Sequence, residues 1–261
     1  MERIKPSKKL GQHFLVSRRV ARIFSSWVCG YRKVFEIGPG TGFITSDILR
    51  SCDEPEIVAG IEIDSRVLEN LAALSILDNR FYIVHGDALS PALRLRGFDA
   101  GYGSIPYNIT GPLLSLLTKW FQKPLLLLIQ REVADRLSAK PGSKNYGRLT
   151  ILVSLVYSVR KLALVPPTAF RPRPRVYSQV VELLPKRSIP PQTIALIEDV
   201  TKCFFSQRNK KARKVGIRCL GECVKDIVPG DLRVYELEPD FFLRVIEKCE
   251  LRPGFHERAR I

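Results

Sequence analysis

The sequence predicts an α/β fold: a mostly parallel sheet covered by helices, followed in the chain by a small C-terminal helical domain. Three observations carry this. Short apolar runs alternate with segments of helical spacing from Lys33 to Gln130, the pattern of a parallel sheet whose crossovers are helices. The runs stop at glycines or acids, as strands do where the chain turns. Beyond Pro185 to Pro191, a stretch holding three prolines, the text reads as mainly helical and too short for another α/β unit.

The elements follow in order. Met1 to Lys33 holds nine Lys and Arg against one acid; its first eleven residues read as an arm, and Ser17 to Cys29 as a helix. Lys33 to Ile37 is a short strand stopped by a glycine cluster, and Phe43 to Ser51 is a helix. Ile57 to Ile63 is the second strand, with helical spacing over Ser65 to Leu74. Phe81 to Val84 is the third, ending at Gly86-Asp87. Phe98 to Gly103 is the fourth and leads into Ser104-Ile105-Pro106-Tyr107, followed by a helix from Pro112 to Phe121. Leu125 to Gln130 is a continuous apolar strand. Phe170-Arg-Pro-Arg-Pro-Arg175 cannot continue a helix or a central strand, and Val176 to Leu184 alternates well enough to add one more. The expected division is residues 1–187 and 188–261.

Charge narrows the partners. The 261 residues carry 42 Lys and Arg against 26 Asp and Glu, a net +16, which favours a polyanion because neutralised phosphates release their counterions. No apolar run approaches the roughly 20 residues of a membrane span, and the polar, basic N-terminus lacks a signal core. A cytoplasmic protein with no membrane partner is expected. The six cysteines are scattered without a Cys-x-x-Cys pair. Cys219 and Cys223 lie one helical turn apart, with no second pair or His to complete a metal site, so reduced thiols and no metal are expected. His13, His85 and His256 form no triad, and His85 reads as a local hydrogen-bonding residue.

Four segments carry chemistry. Glu36-Ile37-Gly38-Pro39-Gly40-Thr41-Gly42 follows the first strand and opens a helix, where Gly38 and Gly40 let the backbone approach a ligand. Glu62 ends the second strand, placed to accept hydrogen bonds from both hydroxyls of a ribose. Asp87 ends the third, where a carboxylate can accept from an adenine amine. Either acid alone fits a helix N-cap equally well; three strand ends in register point to an adenosyl cofactor. Ser104-Ile105-Pro106-Tyr107 ends the fourth strand at the same edge. The Ser104 oxygen and a carbonyl of Ile105 or Pro106 can accept the two hydrogens of an amine, Pro106 aiming the loop by its fixed φ. Tyr107 offers a flat face for a base.

With these segments in order, the chain resembles the ribosomal RNA adenine dimethyltransferases of the KsgA type, a family that includes the Erm methyltransferases. Lys9-Leu-Gly-Gln-His-Phe-Leu15, Glu36 to Gly40, Ile61-Glu-Ile-Asp64, Gly86-Asp-Ala-Leu89, Gln130-Arg-Glu-Val-Ala134, Pro166-Pro-Thr-Ala-Phe-Arg-Pro-Arg-Pro-Arg-Val176 and Phe205-Ser-Gln-Arg-Asn-Lys-Lys211 are similar to family segments. The resemblance implies a Rossmann-like class I methyltransferase using S-adenosyl-L-methionine, with 1–187 catalytic and 188–261 binding RNA. It implies that His13 and Leu15 border the cofactor's methionine end. Gly38, Gly40 and Ser104 would also line the cofactor site, Glu62 would bind ribose and Asp87 adenine. Tyr107 and Phe170 would hold a flipped base from opposite faces. The implied substrate is two adjacent adenines in the 3′-terminal hairpin of small-subunit ribosomal RNA, modified by a monomer. Lys202 to Arg218 holds seven basic residues and no acid, and Lys202, Arg208, Lys210, Lys211, Arg213 and Lys214 are the candidate phosphate contacts; one solvated helix face reads the same way. Two residues depart from the family: Ser104, where Asn or Asp is usual, and His13, where Asn is frequent. An Erm-type enzyme acting on large-subunit RNA and a non-catalytic RNA-binding assembly factor are the alternatives.

Overall fold

The computed structural model describes residues 5–7, 9–90, 93 and 95–252; the start of the expected arm, Lys8 and His256 lie outside them. The elements run β1 (Phe14–Leu15), α1 (Arg18–Val28), β2 (Lys33–Ile37), α2 (Phe43–Ser51), β3 (Ile57–Glu62), α3 (Leu68–Leu77), β4 (Phe81–His85), β5 (Ala100–Ser104), α4 (Thr110–Trp120), β6 (Leu125–Gln130), α5 (Arg131–Leu137), α6 (Arg148–Val156), β7 (Tyr157–Val165), β8 (Phe170–Arg171), β9 (Ser178–Pro185), α7 (Pro191–Phe205), α8 (Ala212–Leu220) and α9 (Pro239–Lys248).

Among the described residues the main sheet has seven strands in the order β4-β3-β2-β5-β6-β9-β7. β4, β3, β2, β5 and β6 pair in parallel, and β9 enters antiparallel beside β6. From β2 the chain moves outward to β3 and β4, then crosses back to β5 on the other side of β2. Such a reversal leaves a crevice at the carboxyl ends of the strands, the place where open α/β sheets hold ligands. The strands follow from composition. Leu125 to Ile129 in β6 is buried throughout, as a strand covered on both faces must be.

β9 corrects one expectation. It begins at Ser178, and Ser178 to Leu183 are all buried while Val176 and Tyr177 are exposed. A strand lodged between β6 and β7 has both faces covered, so alternation is not its signature. Residues 131–169 carried little readable signal, yet they supply α5, α6 and β7. In α6 nearly every residue from Thr150 to Val156 is buried, so no polar face marks its period.

The described residues form two compact units. One takes in the chain up to Leu113, with Lys123–Ala134 and Val159–Leu184; the other takes in Leu114–Gln122, Asp135–Ser158 and the chain from Pro185. The last crossing between them falls at Pro185, and packing also assigns α6 to the helical unit, where it lies against α7 and α9. There Phe204, Phe241 and Phe242 meet edge to face at 5.3–6.1 Å, a geometry that aromatic quadrupoles favour. Among the described residues no helix is long and apolar enough to cross a membrane.

The cysteines overturn the expectation of reduced thiols. All six are paired, as Cys29–Cys52, Cys203–Cys219 and Cys223–Cys249, with Cα separations of 5.5, 6.0 and 5.4 Å. The partners are 23, 16 and 26 residues apart, so no local motif announces them. Helix packing brings them together: Cys29 and Cys52 cap the C-termini of the adjacent helices α1 and α2, and Cys203 and Cys219 lie on α7 and α8.

Candidate active site

A cavity of about 170 Å³ opens at the carboxyl ends of β2, β3, β4 and β5. It is lined by the arm from Leu10 to Leu15, the glycine loop, Glu62, Gly86 to Leu89, Ser104 to Ile109 and Phe170. His13, Leu15, Gly38, Gly40, Glu62, Asp87, Ser104, Pro106, Tyr107 and Phe170 thus all reach one space.

The floor is the glycine loop. Gly38 and Gly40 have φ of +66° and +57°, a region that a Cβ makes costly. A Cβ on Gly40 would lie 3.1 Å from the Phe14 ring, whereas one on Gly38 would meet no atom within 4 Å and would project into open space. The Gly38 backbone therefore borders the open cavity directly. The loop is held by Glu62, only 4% exposed. One Glu62 oxygen accepts from the Gly40 N–H and the other from the Asp64 N–H, each at 2.9 Å. A carboxylate fixed this way has lone pairs left for hydroxyl donors. Removing its charge weakens both contacts, since hydrogen bonds to a charged group contribute about 1.5–3 kcal/mol. Glu62→Gln is therefore expected to weaken cofactor affinity at least about tenfold, measured by calorimetric titration with S-adenosylhomocysteine; unchanged affinity would show that the carboxylate neither binds the ligand nor orders the loop.

Below the loop lies a buried network that sequence reading passed over. Glu36 is 1% exposed, and one of its oxygens accepts from Thr45 Oγ1 at 2.6 Å and from the Tyr102 hydroxyl at 3.0 Å. Burial pushes its carboxyl up to about 7, with the two hydrogen bonds pulling the other way. The unfolded value is about 4.3, so in the window between that and about 7 the folded chain holds a proton that the unfolded chain has lost. Stability associated with that proton is present at the acid end of the window and declines as pH rises through it. Glu36→Gln should flatten the fall in melting temperature between about pH 4.3 and 7, read by thermal denaturation across pH; an unaltered slope would assign the dependence to another group.

The arm forms one wall. β1 pairs antiparallel with β8, Leu15 opposite Phe170. Gln12 Nε2 donates to Asp64 at 2.7 Å, and Arg66 binds Asp64 while donating to the Lys5 carbonyl. The Arg66 guanidinium, with further help from Gln12, holds the Asp64 carboxyl down to about 2. His13 lines the cavity, but its Nδ1 lies 2.8 Å from the Pro172 carbonyl and its ring centre 5.5 Å from that of Tyr107. It therefore bridges the loop that carries Tyr107 and the one that carries Pro172, a contact no sequence pattern suggested.

At the reaction loop the Ser104 hydroxyl lines the cavity and has no hydrogen-bond partner among the described residues. The Pro106 carbonyl is already engaged, accepting from Ile109 N–H at 3.2 Å and Thr110 Oγ1 at 3.1 Å. That leaves the Ile105 carbonyl as the backbone acceptor of the pair considered from sequence. Pro106 then shapes the turn. The Tyr107 hydroxyl shares a 2.7 Å hydrogen bond with Ser178 Oγ, and burial raises its pKa. Phe170 is 2% exposed and packs in the same apolar cluster as Leu15 and Ala169, so Tyr107 is the more open of the two rings. Asp87 is exposed and one oxygen accepts from the Leu89 N–H at 2.8 Å, a local turn contact, with the second oxygen available. His85 Nε2 lies 3.4 Å from the Ile63 carbonyl.

The basic segment divides. Lys202, Lys210, Lys211, Arg213 and Lys214 are exposed, Lys211 pairing with Asp231 at 3.5 Å. Arg208 is half-buried. Its guanidinium donates to the carbonyls of Ser143 and Lys144 and sits 5.3 Å from the Tyr235 ring centre. It is a brace of the helical unit, where a free phosphate contact was expected.

Comparison with known proteins matches this arrangement to a family. Residues 3–223 match the family described as ribosomal RNA adenine dimethylase. The chain belongs to that family. Among its curated relatives, the probable ribosomal RNA small subunit methyltransferase A of Pyrobaculum aerophilum is 38% identical over 208 residues, covering 80% of this chain and 87% of that protein. A crystal structure of a dimethyladenosine transferase from Plasmodium falciparum superposes with a TM-score of 0.79 at 24% identity, over 92% of this chain and 99% of that one. The 23S rRNA methyltransferase ErmE follows at 0.65 and 22%, over 91% and 100%. The two structures bear on the fold alone, a mostly parallel methyltransferase sheet. Family membership makes the chain an enzyme of RNA adenine methylation, with a methyl donor of the S-adenosylmethionine type.

Proposed function

We propose that this chain transfers methyl groups from S-adenosyl-L-methionine to the N6 amines of two adjacent adenines in the 3′-terminal hairpin of small-subunit ribosomal RNA. The observation that carries the reading is the convergence of Ser104, the Ile105 carbonyl and Tyr107 on the same cavity as Gly38, Glu62 and Asp87. The cradle fits an adenosyl group: Gly38 leaves open space above the loop, Glu62 offers lone pairs to the ribose, and Asp87 has an oxygen for the adenine amine. The sulfonium supplies an electrophilic methyl.

The protein's part is to place the nucleophile. The lone pair of an adenine amine is delocalised into the ring. Ser104 Oγ and the Ile105 carbonyl accept hydrogen bonds from its two N–H groups, favouring a pyramidal nitrogen. Each transfer would break the methyl–sulfur bond as the methyl–nitrogen bond forms, and the proton the nitrogen then loses passes to water. Tyr107 stacks on the extruded base and offsets part of the few kcal/mol that extrusion costs. The arm and Phe170 close the cavity sides. No general base of unusual strength is required, because positioning supplies most of the acceleration. The enzyme acts as a monomer in the cytoplasm on a partly assembled subunit. Disulfides in that compartment are characteristic of proteins from hyperthermophiles.

The test is to incubate the protein with labelled methyl donor and small subunits from a strain lacking the modification, then map the label. Label on two adjacent adenines of the 3′-terminal hairpin is expected. Label confined to large-subunit RNA would establish the Erm-type activity, and binding without label would leave a non-catalytic assembly factor.

A further inference from the structure

Residues 171–177 follow Phe170 and carry arginine at 171, 173 and 175, with no acid between Phe170 and Ser178. All three arginines are exposed, and none of their side chains has a hydrogen-bond, ion-pair or ring partner among the described residues. Some other exposed or half-exposed arginines are used internally: Arg32 pairs with Glu56, Arg66 with Asp64, Arg160 with Glu182 and Arg187 with Asp240. The segment is nonetheless well anchored. Phe170 and Ser178 fix its ends, the first by lining the cavity and pairing with Leu15, the second by its 2.7 Å hydrogen bond to the Tyr107 hydroxyl. Between them His13 Nδ1 meets the Pro172 carbonyl at 2.8 Å, Pro174 is buried, and the Tyr177 carbonyl accepts from the Arg131 N–H at 3.0 Å. Two prolines remove further backbone freedom.

We propose that Arg171, Arg173 and Arg175 form a phosphate-contacting strap at the mouth of the base cavity, holding the single-stranded RNA that flanks the target adenine. A chain segment fixed at both ends, with its only charges turned to solvent and unpaired, presents guanidinium forks to an anion at little entropic cost. The strand must pass this rim, because a base can enter the cavity only when its neighbours lie at the mouth. Exposed Tyr177, beside the last arginine, adds a face on which a neighbouring base can stack. The strap rests on the reading of the cavity as an adenine-methylating site and extends it to the nucleotides outside.

The experiment measures binding of a fluorescein-labelled single-stranded RNA containing two adjacent adenines against potassium chloride concentration, for wild type, each Arg→Gln variant and the triple variant. Each lost phosphate contact lowers the slope of log K against log salt by about 0.7, so the triple variant should lose about 2 and bind about tenfold or more weakly at physiological salt. The triple Arg→Lys variant should restore most of the slope, while S-adenosylhomocysteine affinity stays at the wild-type value in all of them. A wild-type slope in the Gln variants overturns the strap. If the Gln variants lose S-adenosylhomocysteine binding, the Lys variants and single substitutions decide by the same slope. Transfer is measured in parallel: a wild type that binds RNA through the strap yet moves no methyl would sink the catalytic reading and leave the strap standing.

Discussion

Tyr107→Ala is expected to lower turnover on RNA about a hundredfold while leaving S-adenosylhomocysteine affinity within about twofold, since base stacking on an aromatic ring contributes about 1–3 kcal/mol per base. The same substitution also costs stability. Ser178 is fully buried and its Oγ shares a 2.7 Å hydrogen bond with the Tyr107 hydroxyl, so truncation also strands a buried hydroxyl, at about 1–3 kcal/mol. Tyr107→Phe separates the two contributions: it keeps the ring and loses only the hydroxyl, and should retain turnover within about tenfold of wild type. Steady-state kinetics with small subunits distinguishes the outcomes. Unchanged turnover in the alanine variant would remove Tyr107 from the proposed stacking role.

Reduction of the disulfides is expected to have the largest effect on stability. Bridges closing loops of 16 to 26 residues each contribute about 3 kcal/mol in the chain-entropy account. The helical unit holds Cys203–Cys219 and Cys223–Cys249, the sheet unit Cys29–Cys52. At about 4 °C per kcal/mol for domains of this size, reductant should lower the melting of the sheet unit by about 10 °C and that of the helical unit by about twice as much. Calorimetry with and without a phosphine reductant reads both shifts, and thiol titration of the denatured, unreduced protein should find no free thiol. A full complement of thiols, with an unshifted melting curve, would refute the pairing.

Much of the site was legible in the sequence because its chemistry sits where strands end. Gly38, Glu62, Asp87 and Ser104 each close an apolar run, and in a parallel sheet every such ending falls on one edge. Local pattern therefore located the cavity, and family resemblance named its chemistry. The burial of Glu36 beneath the loop was not legible, since its partners come from α2 and β5. Nor was the bridge from His13 to Pro172, which joins residues 159 apart in the chain.

By itself the sequence determined the strand endings, the glycine loop, the Ser104 to Tyr107 turn and the family, because each depends on neighbours along the chain. Only the tertiary structure decided which groups remain free to act. It consumed the Pro106 carbonyl within its own turn and left that of Ile105. It turned Arg208 inward as a brace and left Arg171, Arg173 and Arg175 facing solvent. It joined six scattered cysteines into three bridges. The physical reason is common to all of these: a hydrogen bond, an ion pair or a disulfide depends on distance in space, and beyond a helical turn or a hairpin, sequence spacing does not set that distance.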